Sequence, residues 1–182
     1  TDIVFVQKAM VPHYIDRCTR CHSGRVIEDR TDGTLWNSWK LTWLNLFGAP
    51  RNLVTDGESA LVTTKNKSRF SAAGTKLVAR APGQRARFAE RHGAMLRYTT
   101  HCLVEDLKQK GISKPMSGIL SEAILALNTL TNVGGATPYQ AVTGRPPGLL
   151  PPIEGMLFHD SVDGRKEQRI RELAIEAMTQ AS

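Results

Sequence analysis

Cysteine is scarce in this sequence, at three residues in 182. An odd number that small excludes a disulfide framework and fits a reducing compartment. Long apolar runs are missing too. The longest candidate, residues 119–130, is interrupted by Ser121, Glu122 and Asn128, and none reaches the roughly 18 residues of a membrane span. The opening TDIVFVQKAMVPHY has no basic region leading into an apolar stretch and a small-residue cleavage site, so no secretory leader is expected. It also has no initiator Met, as expected of a piece of a longer chain. Acidic charge is in short supply: 17 Asp and Glu stand against 24 Lys and Arg, a net charge of +7 and a pI near 9.6. Such a surplus points to a polyanionic partner, nucleic acid before membrane. Apolar residues at 41% suffice for a sizeable core, and the length fits one domain with an appendage.

Two of the three cysteines fall in Cys18-Thr19-Arg20-Cys21-His22, a C-x-x-C-H spacing that can attach a c-type haem or supply half of a zinc site. Zinc would need a second pair of ligands, and only Cys102 and scattered histidines remain. Covalent haem would need a targeting segment. The stretch is therefore expected to bind neither, and to be part of a second strand and its turn, with Ser23-Gly24 turning a hairpin.

Residues 2–6 (DIVFV) form a short apolar run, expected as a buried strand. Residues 11–18 and 22–28 read as two more. Leu35, Trp36, Trp39, Trp43, Leu44 and Phe47 then recur at helical spacing until Gly48 and Pro50; at that spacing the tryptophans are core. Residues 52–55 and 76–80 are strands, with loop and a short helix over 58–73. A long helix is expected over 84–111 and another over 116–130. Thr137-Pro138 opens a short one, residues 144–152 are Pro-rich, and 165–179 form a charged amphipathic helix. This order predicts an α/β fold with a five-stranded mixed sheet, three antiparallel strands then two parallel, flanked by helices. The domain is expected over 1–152, with 153–182 a linker and charged helix beginning a downstream region.

Three carboxylates sit where such a fold brings them together: Asp2 on the first strand, Asp56 closing the fourth, and Glu90 in the first turns of the long helix. Two Mg²⁺ ions doing phosphodiester chemistry need hard anionic ligands on rigid elements. Each residue also has an ordinary alternative: Asp2 as a solvated end, Asp56-Gly57 as a turn, Glu90 paired with Arg87 or Arg91.

Four segments, in order, resemble the catalytic core of retroelement integrases, the ribonuclease-H-like group with a D,D,E triad. They are HYIDRCTRCHSG, FGAPRNLVTDGESAL, RAPGQRARFAERHGAMLR and LNTLTNVGGATPYQAVTGRPPGLLP, together covering about residues 1–152. The resemblance implies a metal-dependent DNA polynucleotidyl transferase of LTR-retrotransposon type, carrying out 3′-end processing and strand transfer. It implies Asp2, Asp56 and Glu90 as ligands of two Mg²⁺ or Mn²⁺ ions, DNA as partner, a homo-oligomer, and residence in the nucleus or a cytoplasmic retroelement particle. Asp16, inside the I-D-R of the second segment, is the alternative first ligand or a supporting group; the family's first ligand lies earlier, where Asp2 stands. The interval from Asp2 to Asp56 is close to the retroviral pattern, and that from Asp56 to Glu90 is slightly shorter than usual. The family's D-N-G is Asp56-Gly57-Glu58 here, and Ala86 and Ala94 replace polar residues that flank the glutamate. A decayed or domesticated copy that binds nucleic acid without catalysis is the alternative. A ribonuclease H is disfavoured by the G-R-x-P tail and the R-A-P-G segment.

Arg87 and Arg91 flank Glu90 and Arg97 follows at i+7, guanidinium groups suited to DNA phosphates. Lys65, Lys67 and Arg69 form a second cluster after Asp56, expected to close over DNA or to be a solvated loop.

Overall fold

The computed structural model describes residues 1–55, 60–80, 87–148 and 162–181, in thirteen consecutive elements that fall into two compact units. One comprises Thr1–Ile15 and Ser23–Arg97; the other comprises Asp16–His22 and the chain from Tyr98.

In the first unit, β1 (Asp2–Val6) and β2 (Ala9–Ile15) form a hairpin paired from Asp2↔His13 to Val6↔Ala9. Gln7 and Lys8 make its turn with φ of 47° and 71°, the two positive values that match the twist of the flanking strands. β1 alternates as an amphipathic strand should. Val4 and Val6 are buried, whereas Phe5 is exposed, with the Arg30 guanidinium 5.0 Å from its ring centroid. β2 lies between β1 and β3 (His22–Gly24) and is buried from Val11 to Tyr14. Gly24 is a strand residue and not the expected turn. A Cβ there would lie 2.9 Å from the Pro12 carbonyl oxygen, so glycine is required where β3 crosses β2.

Thr31 caps α1 (Asp32–Trp39), its side chain accepting from the Thr34 N–H. The helix widens into a π turn (Lys40–Leu44) and ends in α2 (Asn45–Phe47) at Gly48. Such turns leave carbonyls without their usual helical donors; that of Thr42 accepts from the Ser23 hydroxyl at 2.6 Å. β4 (Asn52–Thr55) and β5 (Lys76–Ala79) are parallel, Asn52 opposite Lys76, and α3 (Thr64–Ala72) connects them. Buried Asn66 of α3 donates to the carbonyls of Asp32 and Ala60.

Tyr14, Ile27, Leu35, Trp39, Leu53, Leu61 and Phe70 form the core of this unit. Trp39 is fully buried, whereas Trp36 and Trp43 lie partly exposed against it. Burial pushes the Tyr14 phenol well above its ordinary range, so it stays a neutral hydroxyl, 3.5 Å from the Leu35 carbonyl.

The expected single five-stranded sheet is not observed: the sheet is divided into β1-β2-β3 and β4-β5. β1 pairs along its whole length with β2. Its link to β4 is made at its start, where the Thr1 nitrogen donates to the Val54 carbonyl at 2.6 Å. A continuous sheet needs a run of paired peptides, and a joint ahead of the first β1 residue does not provide one.

The second unit is helical. α4 (Arg87–Gln109) enters it from Tyr98 and is followed by α5 (Met116–Leu130), α6 (Pro138–Thr143) and α7 (Val162–Ala181). Leu103 and Leu107 of α4, Ile119, Leu120, Ala123, Ala126 and Leu127 of α5, and Ile170, Leu173, Ala174, Ala177 and Met178 of α7 are all buried. α7 packs on α5. Lys114, Glu122, Glu167 and Arg171 link α5 and its approach to α7 by ion pairs. Lys114 lies flat over Gly118, where a Cβ would meet its Cε at 2.7 Å. α6 has a full capping box from Thr137 and Gln140 and ends on left-handed Gly144. Among the described residues no helix is long and apolar enough to cross a membrane. Of the Pro-rich stretch expected over 144–152, residues 149–152 lie outside the described residues, as do residues 153–161 of the expected linker.

Candidate functional site

The face of β1 that carries Val4 also carries Asp2. That face meets the first half of α4, which buries Ala89, His92, Gly93 and Leu96. At Gly93 a Cβ would stand 3.1 Å from Val4 Cγ2. Glycine is what lets helix and strand approach so closely. Glu90 precedes Gly93 by one turn, about 4.5 Å along the helix axis, and Asp2 precedes Val4 by two residues, roughly 6.6 Å along the strand. Both carboxylates are therefore carried on rigid elements a short way from one contact. Asp2 is half-buried and Glu90 exposed.

Thr1 ties the same region to β4, through its nitrogen on the Val54 carbonyl and its hydroxyl on the His13 carbonyl at 2.8 Å. β4 ends at Thr55. Asp56, the next residue, lies outside the described residues, as do Gly57, Glu58 and Ala86. Among the described residues no group of three His, Cys, Asp or Glu could hold a metal ion. The donor chemistry of Asp2 and Glu90 suits a hard divalent cation.

Asp16, the alternative first ligand, is engaged elsewhere. Its Oδ2 accepts from Cys18 N at 3.0 Å, Thr19 N at 2.6 Å and the Thr19 hydroxyl at 2.9 Å. The loop is closed by Asp16 N donating to the Cys21 carbonyl and Arg20 N to the Asp16 carbonyl, both at 3.0 Å. This side-chain-built turn explains why β2 stops at Ile15, short of the expected 18. Beyond it, His22 is held by Asn128, whose side chain accepts from His22 N at 2.7 Å and donates to His22 O at 2.9 Å.

The C-x-x-C-H motif thus spans the turn and the first residue of β3. Cys18 is exposed and Cys21 is buried. Burial, with a smaller contribution from the Asp16 charge, pushes the Cys21 thiol up to about 11. Since the folded value is raised, the neutral thiol is favoured in the fold. Its contribution to stability is complete below the ordinary thiol range and is lost as pH climbs towards 11. At pH 8 in native buffer, maleimide mass-labelling is expected to modify Cys18 first and Cys21 last, with Cys21 reacting readily only after denaturation. Equal rates in the native protein would contradict the buried turn.

Arg87, Arg91 and Arg97 are all exposed on α4. Arg97 shares the side of Glu90 and Gly93, its Nη1 lying 3.8 Å from where a Gly93 Cβ would be. Arg91, next to Glu90, points about a third of a turn away. Lys65 and Lys67 are on α3, in a helix where a solvated loop is one of the two expectations. They point apart at i,i+2: Lys65 pairs with Asp32 at 3.8 Å, and Lys67 joins Arg51 and Lys76 around a groove. Arg51 and Lys76 were not singled out from sequence. The signal for them is the parallel pairing of β4 and β5, which sets Asn52 opposite Lys76 and lets Lys76 N donate to the carbonyl of the preceding Arg51. Gly93 was also missed, since a helical glycine shows its purpose only once its neighbour is known.

No protein-family model matches the sequence, and no curated protein matches it. Solved structures do. The HTLV-2 integrase catalytic core domain, in its trimeric form in complex with magnesium, is 16% identical with a TM-score of 0.62, over 75% of this chain and 87% of that one. The BIV integrase catalytic core domain gives 16% and 0.64 over 79% and 92%. The simian T-cell lymphotropic virus intasome, in complex with PP2A regulatory subunit B56 gamma, gives 17% and 0.65 over 82% of this chain and 53% of that one. At these identities the likeness establishes architecture, and the chain has the ribonuclease-H-like α/β fold of retroviral integrase catalytic cores.

Proposed function

We propose that the chain is a metal-dependent DNA polynucleotidyl transferase core of retroelement type, cutting at a DNA end and joining the freed 3′-hydroxyl to target DNA. The observation that carries this reading is the Gly93–Val4 contact, which holds Asp2 and Glu90 on neighbouring rigid elements within the integrase-core fold. Asp56, one residue beyond β4, completes the set in this reading. When bound, two divalent cations supply Lewis-acid activation and neutralise charge on the phosphodiester. Asp2, Asp56 and Glu90 would hold them. The chain's own share is placement: β1, β4 and α4 fix the carboxylates, and Arg87, Arg97 and, more distantly, Arg91 hold phosphates of the DNA strand for in-line attack. Lys65 and Lys67 contribute further backbone contacts from α3. Magnesium in the HTLV-2 core structures and the forms named dimeric and trimeric support the cofactor and an oligomeric working state. A retroelement particle or the nucleus is the setting this activity needs.

The test is a disintegration assay: branched DNA offered to the chain with Mn²⁺ or Mg²⁺, and with EDTA. Asp2→Asn is expected to abolish joining, by at least about a hundredfold. Asp16→Asn should keep most activity and lower stability by about 1 kcal/mol, because a neutral amide oxygen replaces the acceptor of three hydrogen bonds. The opposite pattern would transfer the ligand role to Asp16. Absence of joining in every metal, from folded protein that still binds DNA, would leave a nucleic-acid-binding module without chemistry.

A further inference from the structure

A second basic feature lies at the other end of β4 and β5 from the residue that leads to Asp56. Arg51, Lys67, Ser71, Gly74, Thr75, Lys76 and Leu77 line a groove of about 480 Å³, within the size range of ligand sites. Three of the seven are cations and none is acidic. Among the described residues Arg51, Lys67 and Lys76 form no ion pair, although Lys65 on the same helix does. The cations are brought together by the backbone, Lys76 N donating to the Arg51 carbonyl at 3.0 Å. Beneath them Thr75 is 1% exposed, and its hydroxyl oxygen has no hydrogen-bonding partner among the described residues.

The ordinary account is that these cations balance the negative end of α3. It falls short on magnitude. A helix C-terminus presents about half a charge against three cations. The carbonyls of Phe70 and Ser71 are moreover already capped, by Thr75 N at 2.8 Å and Gly74 N at 3.0 Å. A surplus of positive charge is left around the groove, with the exposed Ser71 hydroxyl beside it.

We propose that this groove is a second, non-catalytic phosphate site that grips the backbone of a nucleic-acid strand. Phosphate oxygens match guanidinium, ammonium and hydroxyl donors together. The lining has no aromatic ring to stack a base and no side-chain carboxylate or amide to read one, so contact is with the backbone and blind to sequence. β4 separates the groove from the Asp56 end by roughly 13 Å of strand, so the segment held here is distinct from one at the carboxylates. The inference does not depend on catalysis: a chain with no transferase activity would keep the groove.

The test is fluorescence anisotropy with labelled duplex and single-stranded oligonucleotides in EDTA, titrated over salt, for wild type, Arg51→Gln/Lys76→Gln and Glu90→Gln. Arg51 and Lys76 are exposed and unpaired among the described residues, and Lys76→Gln alone serves if the double variant melts early. The double variant is expected to bind about tenfold more weakly near 0.1 M salt, with its log K against log salt slope reduced by about two. Glu90→Gln should show neither change. An unchanged slope and affinity in a folded double variant would overturn the proposal. So would protection of Lys76 from acetylation by inorganic phosphate or a mononucleotide but not by oligonucleotide, which would assign the groove to a small anion.

Discussion

Glu90→Gln is expected to lower strand joining by about a thousandfold, close to 4 kcal/mol in the barrier, while leaving the fold intact. The substitution keeps shape and removes one negative charge. An amide oxygen is a far weaker ligand for a hard divalent cation than a carboxylate, so the loss falls on chemistry. Stability should hardly change. Glu90 is exposed and lies in the first turn of α4, where its charge favours the helix N-terminus by only about 0.3–1 kcal/mol. The melting temperature should therefore stay within about 4 °C of wild type. DNA affinity in EDTA supplies a third readout. Removing an anion beside Arg97 and Arg87 should leave binding unchanged or tighten it. Loss of joining with unchanged melting and equal or tighter binding would assign Glu90 to the metal site. Joining within tenfold of wild type would remove it from that role, and loss of binding together with joining would point to DNA placement.

Several elements were legible in the residues themselves. DIVFV, NLVT and the stretch 116–130 coincide with β1, β4 and α5 because each pairs a clear apolar pattern with a marked end. The turn after β2 was not legible. It is built by the Asp16 side chain with Arg20 at a φ of 63°; Asp16 is a turn former, but it sits inside a run that reads as strand, and Arg20 gives no turn signal. Ser23-Gly24 does look like a turn, but Gly24 is dictated by the nearby Pro12 carbonyl, a contact between distant residues. The division into two sheets has the same origin: strand order follows from element order, whereas the extent of pairing depends on where β1 begins relative to β4. Asp2 and Glu90 stood out through resemblance more than spacing. Their support, Gly93 against Val4, became visible only in three dimensions.

Trp39→Ala is expected to carry the largest stability cost of any single truncation in the first unit, about 3–5 kcal/mol. Trp39 is 0% exposed, and its ring sits edge-on to Phe70 at 4.7 Å and tilted to Trp36 at 5.3 Å. Truncation would open a cavity the size of an indole and remove two aromatic pairs, each worth about 0.5–1.5 kcal/mol beyond its buried area. Trp36→Ala should cost less, because Trp36 is partly exposed and one of its neighbours is the Arg69 guanidinium, 5.9 Å from the ring centroid. Against a typical total of about 5–15 kcal/mol, the Trp39 loss translates to roughly 10–15 °C in melting temperature for a chain of this size. The effect should reach function through the fold. The cluster around Trp39 includes Tyr14 of β2 and Leu53 of β4, with Ile3 of β1 packed against it. Those strands carry Asp2 and lead to Asp56. Joining by Trp39→Ala should accordingly be near wild type at 10 °C and fall steeply towards 37 °C, in step with the folded fraction measured by circular dichroism, and Trp39→Phe should recover part of both. Joining lost equally at 10 °C, from protein that is fully folded there, would mean that the α1 face does more than support the strands.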